Sequence, residues 1–245
     1  MALITVMVIL LLGIIAVLAA ARSGLLNEAL VGNDTDYSRT LAAAEALLRD
    51  AEIDVRGRLP NGFYCASNPL NTGSEDVQPN FVGCRNAVGG NPWFPNDEIE
   101  YQLVANAVAV SPAATPCLQG ICVPASLTTL HNPPAFTIEN NLPAMAPFGV
   151  RYGTFTRTGA PALAGSLATN PILRPPFPVA VDAPNQGWYW VEVFVYKANA
   201  MGPRSIGVPP SGGSPFIYRI TAVALGQKPG TRAVLKSFFV PNPAT

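Results

Sequence analysis

The residue types that most chemistry needs are scarce in this chain of 245 residues, which has one histidine, His131, and four cysteines. With His131 the only imidazole and the cysteines read as oxidised, no serine or cysteine triad can be assembled convincingly, and the pairs Glu75-Asp76 and Asp97-Glu98 read as solvated turn charges, not as an acid and a base. No Gly-rich phosphate loop follows a strand. Charge is scarce too: 12% of residues are charged, 15 of each sign, so the chain has no electrostatic footprint for nucleic acid. No proline precedes Pro60, although the chain has 25. An internal proline costs a helix about 3 kcal/mol, so everything up to that point is free to be helical.

What fills the proline-free stretch is apolar. Residues 1–21 carry no charge, and a helix of that length reaches about 31 Å, the thickness of a hydrocarbon core. Beyond Arg22 the pattern turns amphipathic. Tyr37, Leu41, Ala44, Leu48, Ala51 and Val55 recur at steps of three and four, which predicts one face packed against a domain. Glu45 and Arg49, like Glu52 and Arg56, are spaced for exposed helical ion pairs. Gly24 and Gly32, with the capping candidates Asn33, Asp34 and Ser38, predict a bend or unwound turn over 22–34, and Gly57 reads as the stop. A continuous helix to Arg56 would be about 84 Å long, so its apolar half must project into lipid or into a bundle of like helices.

After Gly57 the strand signals are residues 99–110, 147–156, 188–196, 216–225 and 233–240, which predict an antiparallel sheet with a closing hairpin. Arg219 and Thr221 alternate with Tyr218, Ile220 and Ala222, the pattern of one wet and one buried face. Residues 66–98 and 111–187 read as long connections and candidate contact surfaces. Cys65, Cys84, Cys117 and Cys122 suggest two bridges, with three connectivities possible. The closeness of Cys117 and Cys122 around Gly120 suggests a small closed loop, leaving Cys65 with Cys84. The spacings lack a CxxC pair for zinc. Asp34, Asp36 and Ser38 fail as a calcium loop because Arg39 stands where glycine is needed, and Asn68, Asn71, Glu75 and Asp76 are only an oxygen-rich turn. No metal or cofactor is expected.

Met1-Ala-Leu-Ile-Thr-Val with the leucine-rich stretch behind it, then Val31-Gly32-Asn33, then Ala43-Ala44-Glu45-Ala46-Leu47-Leu48-Arg49-Asp50-Ala51-Glu52, resembles the amino-terminal region of PilX-type minor pilins of type IV pili. The resemblance covers about residues 1–54. It implies an α+β, type IV pilin-like fold: a helix over 1–56, of which 1–21 is membrane span or filament core and 22–56 is amphipathic, packed on a globular sheet domain over 57–245. It also implies removal of a leader before Met1, methylation of the Met1 amine, and an assembly interface along Leu3, Val8, Leu11, Leu12, Ile15 and Leu18.

Most pilins carry a glutamate where this chain has Thr5, and in the wider family that carboxylate pairs with the neighbouring subunit's terminal ammonium. Its absence implies a seat at the leading end of the fibre. The implied role is structural, not enzymatic. The implied partners are other minor pilins, the major pilin and a PilY-type tip adhesin, with residence in the bacterial inner membrane and a periplasmic domain before assembly. The alternatives are a tip pseudopilin of type II secretion, disfavoured by the lack of a large inserted helical domain, and a membrane-anchored periplasmic binding protein.

Overall fold

A computed structural model describes residues 2–57, 85, 93–95, 97–109, 117–123, 142–156, 187–196 and 215–240. Cys65, Cys84, His131, the oxygen-rich turn at 68–76 and most of the two long connections lie outside the described residues.

Helix α1, Ala2–Arg56, is unbroken over 55 residues, about 82 Å. The bend expected over 22–34 is therefore absent. Gly24 and Gly32 each forgo about 1 kcal/mol of helix propensity, but Leu25, Leu26, Ala29 and Leu30 are good helix formers around them, and isolated glycines weaken a helix without kinking it. The Thr35 hydroxyl donates to the Val31 carbonyl at 2.8 Å, within the helix and not across a break. Gly57 ends the helix at φ 60°, its N–H donating to the Asp54 carbonyl at 3.1 Å.

Helix α2, Glu98–Ala109, occupies the segment expected to be the first long strand. Its start is capped: the Asp97 carboxylate accepts the Glu100 N–H at 2.8 Å. Tyr101, Val104 and Val108, three and four apart, are its buried face. The β-branched content was read as a strand signal, and the helical spacing won.

The sheet has five strands in the order β1 (Cys117–Leu118), β2 (Ile121–Cys122), β3 (Gly187–Val195), β4 (Phe216–Leu225) and β5 (Arg232–Phe239). All neighbours are antiparallel except β2 and β3, which run parallel with Ile121 opposite Val191, so the sheet is mixed. The β3 to β5 strands match the expected positions closely. The segment 147–156 does not form a strand. A short helix α3, Leu142–Met145, runs into a 3-10 turn at Ala146–Phe148, and only Val150 bridges to Tyr189 before a series of turns. Pro147, inside the 3-10 turn, lacks the N–H a ladder would need.

Both faces of the sheet are covered over β3 and β4, while the back of β5 is open, with Lys236 and Phe238 exposed. On the front, α1 supplies Ala43, Ala44, Leu47, Ala51 and Val55 to a core with Tyr189, Val191, Val193, Tyr218, Ile220, Ala222 and Ala224, joined by the buried face of α2. On the back, Trp188, Trp190 and Val223 pack with the two bridged cysteines and Met145. The face expected to be wet is therefore largely covered on β4: Thr221 is buried, and Arg219 is paired bidentately with Glu192, its cross-strand partner, at 2.6 Å for both bonds. Cys117 and Cys122 are joined by a disulfide across a two-residue hairpin whose Gln119 and Gly120 have φ 46° and 78°, the positive values such a tight turn needs.

Gly149 lies against the back core, where an added Cβ would fall 2.7 and 2.8 Å from atoms of the Trp190 ring and 2.9 Å from the Trp188 Cβ. The Trp190 indole is fully buried and donates to the Met145 carbonyl, so it has nowhere to move. Gly149→Ala should therefore lower stability by about 1 to 3 kcal/mol. Gly24→Ala, with nothing within 4 Å, should be neutral or stabilising. Thermal unfolding followed by tryptophan fluorescence measures both, and an unchanged midpoint for Gly149→Ala would contradict the packing described.

Candidate functional site

The projecting half of α1 is the first functional surface. Every large apolar side chain from Leu3 to Leu18 is more than half exposed, among them Leu3, Val8, Leu11, Leu12, Ile15 and Leu18. They surround the helix on all sides, so this is not an amphipathic face but a rod that needs an apolar environment all round. The segment is long and apolar enough to cross a membrane. Leu25, Leu26, Leu30 and Val31 are also exposed and carry the apolar surface past Arg22 and Glu28, ten residues beyond the charge-free run. Thr5 is compatible with this environment because its hydroxyl donates to the Ala2 carbonyl at 2.8 Å, which leaves no donor without an acceptor.

The second surface is where α1 meets the domain, and carboxylates hold it. The most deeply placed stripe is Asp36, Thr40, Ala43, Leu47, Asp50 and Asp54, spaced four and three apart, all 7% exposed or less. Asp36 accepts the Gln227 and Lys228 backbone N–H groups at 2.9 and 3.0 Å, which pins the hairpin between β4 and β5 to the helix. Gly226 makes that approach possible, since a Cβ there would fall 2.6 Å from the Asp36 Oδ2. Beside it the Lys228 ammonium donates to the Asn33 side-chain oxygen at 2.7 Å.

Asp50 accepts from the Gly153 N–H at 2.7 Å and from the Thr156 hydroxyl, which ties down the turn after Val150. Asp54 is paired with Arg85, whose Nε–H is shared between both carboxylate oxygens at 2.9 Å, and it also accepts from the Tyr189 hydroxyl at 2.8 Å. Arg85 in turn donates to the Gln119 carbonyl at 2.9 Å and lies 4.0 and 5.0 Å from the ring centres of Phe155 and Phe94. One guanidinium thus links α1, β1–β2 and two core aromatics.

These environments separate the acids. Burial pushes Asp36 up, but the two backbone bonds, the Thr231 hydroxyl and the Lys228 charge together outweigh it, and its pKa lies below the ordinary value. Burial pushes Asp50 up to about 7, against the pull of Thr156 and Gly153 and helped by the nearby Asp54 charge. Burial also raises Asp54, opposed by Arg85 and Tyr189, and it raises the Tyr189 phenol well above its usual range.

Of the face predicted from sequence, Ala44 and Ala51 are fully buried and Val55 is nearly so, Leu41 and Leu48 lie at the margin, and Tyr37 is 52% exposed. Tyr37 does not face the sheet, which corrects that expectation. The buried face keeps Ala44, Ala51 and Val55 of the predicted series and adds Asp36, Thr40, Ala43, Leu47, Asp50 and Asp54, each one residue before a predicted position. Scoring only apolar residues hid a stripe with aspartates at three of its six positions. Arg85, Tyr189 and the three aspartates gave no motif signal. The available hint was the repetition of Asp at 36, 50 and 54, in phase with Leu47. Among the described residues no cluster of three or more metal-binding side chains occurs.

Two predictions follow from the buried acids. Arg85→Met leaves the Asp54 charge buried without its cation and should cost about 3 to 5 kcal/mol, while adding Asp54→Asn, which still accepts from Tyr189, should recover more than half of it. Urea titrations of the single and double variants measure this, and additive losses would contradict the pairing. For Asp50 the folded pKa of about 7 exceeds its ordinary 3.8, so between those values the folded state holds more protons than the unfolded one. Stability should therefore fall as pH rises through that window, by up to about 1.4 kcal/mol per pH unit, and Asp50→Asn should flatten the slope. A slope unchanged in the variant would mean that another group carries it.

The comparison with known families falls on the other part of the chain from the amino-terminal resemblance. The family profile described as type IV pilus assembly protein PilX, C-terminal region, matches residues 84–241, from Arg85 and α2 through β5. No curated protein and no solved structure matches the chain. The match covers well over half of the chain and names the sheet domain, while the exposed apolar rod is what a fibre subunit has to present. The chain is a minor pilin and belongs to the PilX family of type IV pilus assembly proteins.

Proposed function

We propose that this minor pilin sits at the leading end of the pilus, within a small complex of minor pilins that primes assembly and presents an adhesin. Before assembly, α1 is held in the inner membrane over 1–21 with the sheet domain in the periplasm. The rod along Leu3, Val8, Leu11, Leu12, Ile15 and Leu18 leaves lipid for a bundle of like helices, an exchange between two apolar media that costs little. The observation that carries the tip assignment is Thr5. No carboxylate occurs before Glu28, and the Thr5 hydroxyl is already satisfied by its own helix. A subunit seated above another's terminal ammonium must neutralise it, because an unpaired charge in a medium of low dielectric is very costly. A subunit without that carboxylate fits where no ammonium waits beneath it.

Immunogold labelling and mass spectrometry of sheared pili test this reading. The expected result is label confined to fibre ends, with about one copy per labelled end, and loss of pili when the gene is deleted. Thr5→Glu should permit label along the shaft. Wild-type label spread along the shaft, or a chain abundant in membranes but absent from sheared pili, would refute the assignment.

A further inference from the structure

We infer that the back of the sheet domain carries a preformed trough that docks an extended, acidic segment of another pilus subunit. The trough has two continuous parts. A cleft of about 790 Å³ lies between α3, the turns at 151–155 and the ends of β3 and β4, and a depression of about 550 Å³ follows the β4–β5 hairpin. Leu142, Pro143 and Leu225 line both, so the two adjoin, and together they exceed the roughly 300–1,000 Å³ of a small-molecule pocket and suit a peptide. The deeper part is floored by Trp188 and Phe155 with Pro147 as a wall.

Its charge is one-sided. Among the described residues no aspartate or glutamate lines either part, while Arg151 stands in the deeper part with its guanidinium 6.0 Å from the Trp188 ring. No carboxylate among the described residues pairs with Arg151. A half-exposed cation above an apolar floor complements a carboxylate flanked by apolar side chains, and Arg matches a carboxylate bidentately.

One wall of the deeper part is tied to the sheet. Val150 and Tyr189 exchange two backbone hydrogen bonds at 3.0 and 2.9 Å, and the Gly120 N–H donates to the Phe148 carbonyl at 2.6 Å. The Cys117–Cys122 disulfide closes the hairpin that supplies Gln119 to the lining. That the partner is a pilus subunit rests on membership of the family, not on the tip position.

The test uses the full chain in piliated cells, with the photo-crosslinker p-benzoylphenylalanine at Thr154, an exposed rim position, and identification of the captured peptide by mass spectrometry. The expected result is an adduct to another pilus subunit, at a peptide bearing Asp or Glu beside apolar residues. Arg151→Glu should reduce its yield at least about tenfold, Arg151→Lys should hold it within about twofold, and reversing the captured acid to Lys should restore it in the Arg151→Glu background. Thermal unfolding of the variants guards against misfolding. Capture of a second copy of this chain, of lipid or of a neutral or basic segment overturns the proposal. So does an adduct indifferent to Arg151→Glu, or no adduct from a folded, membrane-inserted protein. Position along the fibre is not read by this experiment, so its failure and that of the tip assignment are separable.

Discussion

Three carboxylates on one face of a helix, each sealed from water by the domain it holds, fix how the rod is mounted on the sheet. Asp36 and Asp54 are eighteen residues apart, so the pins span about 27 Å of α1. Between them the helix offers Ala43, Ala44, Leu47 and Ala51 to a sheet face that carries Tyr189, Val191, Val193, Tyr218 and Ile220 beside Ala222 and Ala224. Alanine lets the two surfaces approach closely but adds little to the register. The aspartates supply what alanine cannot, because a one-residue slip would strip each buried carboxylate of its donors. Hydrophobic burial therefore provides the attraction, and directional hydrogen bonds provide the single answer.

The two halves of α1 rely on opposite physics, and function needs both. The projecting half must change surroundings, so its contacts are non-directional, and over residues 2–21 its one polar side chain, Thr5, is bonded within its own helix. The docked half must keep its surroundings while the rod is moved, so its contacts are directional and buried. The Asn33 and Asp36 contacts with the β4–β5 hairpin stand at the changeover, immediately after the last exposed apolar pair, Leu30 and Val31.

The sequence was readable where a local period carried the information. The closing hairpin, the Gly57 stop and the apolar rod follow from patterns contained in one continuous stretch of chain. Helix α2 carries both signals at once: Asp97, Glu100, Tyr101, Val104 and Val108 are spaced for a capped helix, while Ile99, Val104 and Val108 are β-branched residues that favour a strand. The aspartates of the buried face are hidden for a different reason: a rule that puts aspartate outside fails where the aspartate is the anchor. The parallel pairing of β2 with β3 joins residues seventy apart, Ile121 and Val191, and Arg85 is a lone cation whose partners lie 31 and 34 residues away. No periodicity announces such pairings.

The Asp54, Arg85 and Tyr189 contact also unites two separate lines of reasoning about what the chain is. The amino-terminal resemblance ends at about residue 54, and the family match begins at residue 84. Asp54 belongs to the first, Arg85 and Tyr189 to the second, and the three are bonded to one another in the core. Removing the helix would leave a guanidinium and a phenol buried without their shared acceptor and would expose the front of β3, β4 and β5. A division at residue 56 follows the change in composition, but the packing puts the second half of α1 inside the sheet domain's own core. The matched domain therefore needs a helix with an aspartate at this position, and the helix that supplies it continues without a break into the apolar rod.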